Sequence, residues 1–286
     1  MSIDIEKIKS QKSTQDLLQF SIINIDKPSG PTSFQVSQFV KNLLNINKTS
    51  HFGTLDPAVS GVLPIGLARA CRLSDYFMHR DKTYTGIMRL HADVSDEQLN
   101  IVIKKFIGTI TQIPPVRSRV KRAEREREVK SFKILEREGK DILFETRVQA
   151  GTYIRKLCDD MGKEIGGAHM LELRRTKAGM FDESSSVTLY QLEAAAQEYE
   201  KDNEQPLRAL LIPGESVGLI LPVIQIKQDA VITCLRGSPL FLEYISEDQK
   251  VQKEESVAVF AGERFIGCYR IVNDGAIRAV PEFVFN

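Results

Sequence analysis

The sequence predicts an α+β protein that ends in a small β-barrel, on two observations. Helix-periodic and strand-like stretches are interspersed from residue 21 to about 206, and from about Ile212 the chain breaks into short β-rich runs punctuated by Gly, Pro and Asn-Asp-Gly275. A length of 286 residues leaves room for both parts at about 150 residues per domain. With 42% hydrophobic and 27% charged residues the chain can bury a real core, which excludes a disordered or collagen-like protein.

The elements follow in order. Residues 1–20 are polar and helix-compatible, an extension whose Leu17, Leu18 and Phe20 form its only sizeable apolar cluster and are expected to pack on the C-terminal domain. Ser21–Ile25 reads as a strand that runs into Asp26-Lys-Pro-Ser-Gly-Pro-Thr-Ser33, a loop because two prolines and a glycine forbid regular pairing. Ser33 stands as N-cap of a helix over Phe34–Leu44, where Val36, Phe39, Val40, Leu43 and Leu44 recur at helical spacing. Turn-rich His51–Pro57 leads into Gly61–Gly66. Tyr84–Leu90 alternates like a strand, and Asp96–Ile107 reads as a helix capped by Ser95 and stopped at Gly108. Ile142–Val148 is another strand, Tyr153–Ile165 a helix before the Gly166-Gly167 break, and Leu189–Tyr199 a helix before the charged linker Lys201–Gln205. Beyond it, Val217–Ile226, Ala230–Leu235, Ser256–Phe260, Phe265–Val272 and Ala276–Val280 are the β-rich runs, about 70 residues in all and near the lower limit for an independent domain. The expected division is therefore an extension over 1–20, a larger α+β domain over 21–206 and a β domain over 212–286.

Several function classes drop out. No apolar run approaches the roughly 18 residues of a membrane span, and the N-terminus lacks the apolar stretch of a signal peptide, so a cytoplasmic protein with no membrane partner is expected. Cys71, Cys158, Cys234 and Cys268 form no CxxC pair, and His51, His79, His91 and His169 form no HExxH and no close pair, so neither a metal site nor a disulfide framework is expected. The net charge of +1 is uninformative globally, and its distribution has to be read instead.

Three stretches hold candidate chemistry. In Ser50-His-Phe-Gly-Thr-Leu-Asp-Pro-Ala-Val-Ser-Gly61, Pro57 biases Asp56 toward extended backbone and aims its carboxylate, while Gly53 and Gly61 permit close approach to another backbone or a ligand. An ordinary loop or cap aspartate is the plainer reading. In Ala150-Gly-Thr-Tyr-Ile-Arg-Lys-Leu157, Arg155 on the first helical turn either forks a carboxylate or sits on the surface. Arg174, Arg175 and Lys177 further on read as a solvated edge or as phosphate contacts. Residues 117–137 carry nine Lys/Arg against four Glu, which is either a mixed-charge helix or a basic loop behind Pro114-Pro115 that meets a polyanion.

Taken together and in order, these segments resemble the TruB family of pseudouridine synthases. The 26–33 loop is similar to that family's first motif and 51–61 to its catalytic loop. Lys82-Thr-Tyr84, Gln112-Ile-Pro-Pro-Val-Arg-Ser118, Ala150–Arg155 and Gly167–Thr176 fall where its later motifs are expected. Pro-Pro-Val-Arg-Ser-Arg-Val-Lys-Arg122 resembles the archaeal and eukaryotic guide-RNA, dyskerin-like branch, and the C-terminal β segment is similar to a PUA domain. The resemblance implies a mixed, mainly antiparallel sheet flanked by helices. It implies catalytic roles for Asp56, for Arg155 as its partner and for Tyr84 as the platform under the target base. It also implies a pocket bordered by His51, support of the catalytic loop by Lys27 and Pro28, and an apolar contact from Leu173. Arg119, Lys121 and Arg122 would sit in a loop, about 117–133, that closes over RNA. Two departures stand out: Phe52 follows the histidine where a small residue is usual, and Cys158-Asp-Asp160 lacks a common histidine.

The implied reaction breaks the C1′–N1 bond of uridine, turns the base and rejoins it through C5, so no cofactor and no metal are expected and one ionised carboxylate suffices. Whether Asp56 attacks C1′, attacks the base or takes a ribose proton is not legible in the sequence. A cation such as Arg155 beside a carboxylate typically lowers its pKa by about 1–3 units. The implied partners are RNA, namely tRNA (uridine 55 of the T-loop), rRNA and H/ACA guide RNA, with small H/ACA ribonucleoprotein proteins. The alternative of another class is a catalytically silent RNA-binding protein of the same fold.

Overall fold

Period-two patterning builds the larger sheet. Lys82–Leu90 buries every second residue, as does Asp141–Val148, and the two pair antiparallel over their full length. The structure, a computed structural model, describes residues 3–114 and 123–286. Those residues form two compact units, one of Ile23–Ile65 with 77–114 and 123–210, the other of 3–22, Gly66–Tyr76 and Leu211–Asn286.

In the first unit the strands run in the order Ser21–Lys27, Ser60–Leu67, Ala168–Ala178, Lys82–Leu90, Asp141–Val148, Arg125–Glu138, Gly108–Gln112. Ser60–Leu67 pairs parallel with Ala168–Ala178, and the pairings from there to Gly108–Gln112 are antiparallel. Helices Ser33–Leu43, Asp96–Lys105, Ile154–Lys163 and Leu189–Tyr199 accompany this sheet. Three of them open with a closed capping box, Thr32 with Gln35, Ser95 with Gln98 and Thr188 with Gln191. The first cap corrects the expectation for Ser33: Thr32 caps the helix and Ser33 is its first residue.

Three further stretches also differ from expectation. Arg125–Glu138 is a strand, neither helix nor loop, because Val129 and Phe132 face the core and two strands pair with it, Gly108–Gln112 along 125–129 and Asp141–Val148 along 129–138. Ala168–Ala178 and Ser60–Leu67 are strands where the sequence shows only motif residues, since neither run alternates cleanly.

In the second unit a six-stranded sheet, ordered Leu240–Phe241, Ile277–Val284, Arg264–Asp274, Ser256–Ala261, Val223–Ile226, Ile245–Glu247, curls into a half-barrel. Ala230–Leu235 is not a strand. Val231–Leu235 is a helical turn that buries Val231 and Cys234, three apart, and leaves Ile232 exposed, so tertiary packing overrides its β-branched composition. Val217 likewise lies in a 3₁₀ turn, Gly214–Leu219, ahead of the strand Val223–Ile226. Helices Ile5–Gln11 and Thr14–Gln19 belong to this unit, where Phe20 is fully buried and stacks on Phe285 at 4.1 Å and on Phe265 at 5.5 Å. Among the described residues no helix is long and apolar enough to cross a membrane.

Gly61 is the tightest point in the larger sheet. Its φ is +100°, and a Cβ built on it would stand 2.2 Å from the Arg175 carbonyl oxygen. Gly61→Ala is therefore expected to strain the backbone and separate the parallel pair, a loss of about 3 kcal/mol or more. A urea titration in which the Ala variant keeps the wild-type midpoint would refute this.

Candidate active site

Asp56 and Arg155, 99 residues apart, meet in the folded chain. Arg155 Nη2 donates to Asp56 Oδ2 at 2.9 Å, and both side chains are more than half exposed. The contact is single rather than the two-bond fork expected from sequence. Arg155 lies on the first turn of Ile154–Lys163, whose inner face buries Ile154, Leu157, Cys158 and Met161. Gln112 fixes the start of that helix, since its amide accepts from Tyr153 N at 3.0 Å and donates to Tyr153 O at 3.2 Å. The role of Gln112 left no local trace in the sequence because its partner is 41 residues away.

The loop carrying Asp56 is held from below by its carbonyl groups. Lys27 is fully buried, and its ammonium donates to Pro28 O at 2.8 Å, Pro57 O at 3.1 Å and Val59 O at 2.8 Å. Burial pushes its pKa down, with Asp56 opposing and Arg175 reinforcing the shift. Arg175, also buried, donates from Nε to Val62 O at 2.7 Å and from Nη2 to Gly53 O at 3.0 Å, spanning the two ends of the loop. Ser29 Oγ reaches Ala58 O, and Gly30 N donates to Pro57 O. Arg175 is thus neither a solvated edge nor a phosphate contact. Its neighbour Arg174 forks Asp26 at 2.9 and 3.0 Å and also holds Glu183, so it too has a carboxylate-bound, structural placement.

His51 ends the short strand Thr49–His51, with Nε2 3.2 Å from Thr54 Oγ1; burial and then the charge of Arg175 push its pKa below the ordinary value. Tyr84 is placed by the sheet, opposite Thr146 on one side and Arg175 on the other, and is 9% exposed. Leu173 lies opposite Gly86 on the same pair of strands and is 8% exposed. Phe52, the departure after His51, is a core residue stacked 5.5 Å from Phe77, which in turn meets Phe181. At the second departure, Cys158 is buried with its thiol pushed up to about 12 by desolvation, and Asp160 is engaged by Lys156 and Lys163. Arg119, Lys121 and Arg122 lie outside the described residues. The following Arg125-Glu-Arg-Glu128 is extended, so arginines and glutamates project to opposite faces. A mixed-charge helix is thereby excluded for that stretch.

One juxtaposition was invisible in the sequence. His91 and His169 stand 2.7 Å apart, Nε2 to Nδ1, although no spacing relates them. Among the described residues no group of three or more His, Cys, Asp or Glu could hold a metal.

The chain as a whole has counterparts among known proteins. The TruB family pseudouridylate synthase N-terminal domain matches residues 41–98, and the tRNA pseudouridylate synthase B C-terminal domain matches 155–217. A probable tRNA pseudouridine synthase B of Methanopyrus kandleri is 42% identical over 253 residues, covering 87% of this chain and 75% of that protein. The chain belongs to the TruB family of pseudouridine synthases. A Thermococcus onnurineus relative of the same description is 44% identical over 85% of this chain and 74% of its own length. The fold is shared with the chain in a Cbf5-Nop10-Gar1 complex (TM-score 0.91, 36% identity, 97% of this chain and 88% of that one). It is shared equally with one in an H/ACA ribonucleoprotein bound to a substrate RNA containing 2′-deoxyuridine (TM-score 0.89, 34% identity, 97% and 89%). These likenesses place the TruB-family chain in the archaeal, dyskerin-like branch, whose members are isomerases.

Lys82, also missed as a site residue, sits under the same loop. Its ammonium donates to Met78 O and Arg80 O at 2.5 Å, and burial, then Arg175, depress its pKa from 10.5 to about 8. Between about 8 and 10.5 the unfolded chain holds a proton that the folded one has released, so Lys82 makes stability rise with pH there. The buried thiols oppose this above about pH 9, so the test is the difference: the urea midpoint of the wild type relative to that of Lys82→Met should increase from pH 7.5 to pH 10.

Proposed function

We propose that Asp56 is the catalytic carboxylate of this pseudouridine synthase, and the observation that carries it is the Asp56–Arg155 pair on a loop fixed by Lys27 and Arg175. An ion pair this exposed contributes about 0–1 kcal/mol to folding, so stability does not explain its geometry. Arg155 orients the carboxylate, which serves as nucleophile while the C1′–N1 bond breaks. Tyr84 stacks on the extruded base, His51 and Leu173 border it, and Lys27 supports the loop.

The substrate is RNA. The relatives' description as tRNA pseudouridine synthase B supports uridine 55 of the tRNA T-loop, and the H/ACA ribonucleoprotein likeness supports rRNA presented by a guide RNA together with small H/ACA proteins. The 212–286 segment acts as a PUA-like RNA-binding domain, the 1–20 extension packs with it, and the enzyme works in the cytoplasm without a cofactor. Purified chain incubated with unmodified tRNA, alone and reconstituted with guide RNA and partner proteins, followed by pseudouridine mapping, separates the two substrates; product in neither preparation would remove the proposal.

Asp56→Asn keeps size and polarity but loses the charge, so RNA affinity should stay within a few-fold of wild type while pseudouridine becomes undetectable. Arg155→Gln should lower turnover strongly and move Tm by no more than about 2 °C. Wild-type turnover by either variant would take that residue out of the mechanism.

The basic segment should supply affinity without selectivity. Neutralising Arg119, Lys121, Arg122 and Arg125 removes up to four phosphate contacts, each contributing roughly 0.7–0.9 to the slope of log affinity against log salt. The quadruple variant should bind RNA more weakly at low salt and with a shallower slope, its preference among RNAs unchanged. Labelled-RNA titrations at three salt concentrations test it, and an unchanged slope would count against an RNA-facing segment.

A further inference from the structure

A carboxylate on a loop is aimed by the backbone that carries it, because an aspartate side chain has only two rotatable bonds of its own. At Asp56 the exit side of the backbone is fixed. Pro57 locks the next φ, and Val59 N donates to Asp56 O at 3.0 Å. The entry side is fixed by one hydroxyl. Ser33 Oγ accepts from Leu55 N at 2.8 Å and donates to Leu55 O at 2.9 Å, so both polar groups of the residue before Asp56 end on a side chain 22 positions upstream.

The helix that carries Ser33 does not need this hydroxyl. Its start is already closed by the Thr32–Gln35 capping box. Ser33 is 2% exposed and Leu55 4%, so water cannot replace either bond. We propose that Ser33 is a positioning residue for Asp56, acting through the Leu55 backbone. The inference rests on the reading of Asp56 as the catalytic carboxylate. Removing the hydroxyl leaves the buried Leu55 N–H and C=O without partners, and the 54–55 and 55–56 peptides that carry them relieve this by rotating toward other partners. That rotation carries the Asp56 carboxylate away from Arg155 Nη2. A misplacement of this kind, on the order of 1 Å, is enough to cost catalysis about a hundredfold without touching the bound RNA elsewhere.

Ser33→Ala and Thr32→Ala form the test pair, since both touch the same helix start and only the first touches Leu55. Single-turnover rates are measured in whichever preparation the wild type converts, chain alone on unmodified tRNA or chain reconstituted with guide RNA and partner proteins. RNA Kd and Tm are measured alongside. Ser33→Ala is expected to slow isomerisation roughly ten- to hundredfold with Kd within about twofold of wild type. Thr32→Ala is expected to lower Tm with its rate near wild type. In an Arg155→Gln background, where the carboxylate has already lost its partner, Ser33→Ala should cost clearly less than in the wild type. A Ser33→Ala rate within about twofold of wild type overturns the proposal, and so do equal rate losses in the two Ala variants or full additivity with Arg155→Gln. Asp56→Asn run in the same assay separates the two claims. If it stays active, the reading of Asp56 fails; if it is dead while Ser33→Ala is unimpaired, only the positioning role fails.

Discussion

Buried cations bound to backbone carbonyls are the interaction on which this site depends. A charged group taken out of water costs several kcal/mol unless its donors are met. Lys27 and Arg175 meet theirs on the inward-turned carbonyls of residues 53, 57, 59 and 62. Each cation is retained because the loop satisfies it, and the loop keeps its shape because the cations would otherwise be stranded. The main chain is thus turned inward over the stretch that presents Asp56, which leaves the carboxylate half exposed above a floor that does not yield. The same floor sets local electrostatics: Arg175 bears on Lys27, Lys82 and His51 alike, and lowers the proton affinity of all three.

The sheet explains why these parts converge. Arg175 lies on a strand whose backbone pairs with Gly61 on one side and Tyr84 on the other. The residue spanning the Asp56 loop is therefore the sheet neighbour both of the loop's end and of Tyr84. Arg174, one residue earlier, projects the other way and secures Asp26 beside Lys27. Adjacent arginines with opposite directions serve one assembly.

What the sequence disclosed follows the range of the interactions. Asp56 and Arg155 stood out because each sits in a compact motif with its own local chemistry, and motif order alone led to the family. Ser33 was read as a cap because Ser before an apolar run usually is one. Its true partner, Leu55, is invisible at a distance of 22 residues. Arg174 and Arg175 looked like surface charge because nothing in Leu-Arg-Arg-Thr says that one guanidinium faces the interior. His91 and His169 meet because His91 follows the strand Lys82–Leu90, whose pairing with Ala168–Ala178 sets Arg89 opposite His169. Val231–Leu235 read as a strand because its β-branched residues favour one, yet its core contacts recur at three. Arg125–Glu138 hid its strand because its buried residues, Val129 and Phe132, stand three apart across a break in register and the rest is charge that a helix could equally have borne.

The three closed capping boxes share a detail: the returning side chain is Gln in each, at positions 35, 98 and 191, never Glu. A glutamate there would complement the helix dipole, but it would add a titratable group and a negative charge at each helix start. With an amide instead, the box bonds themselves carry no titratable group, and at Thr32 and Thr188 the first turn adds none. A phosphate passing Thr32 or Thr188 meets a neutral amide and a first turn free of acidic side chains, whereas the Ser95 start adds Asp96 and Glu97 beside its box. In a protein whose ligand is a polyanion, helix ends closed in this way stay firm without making the surface less welcoming.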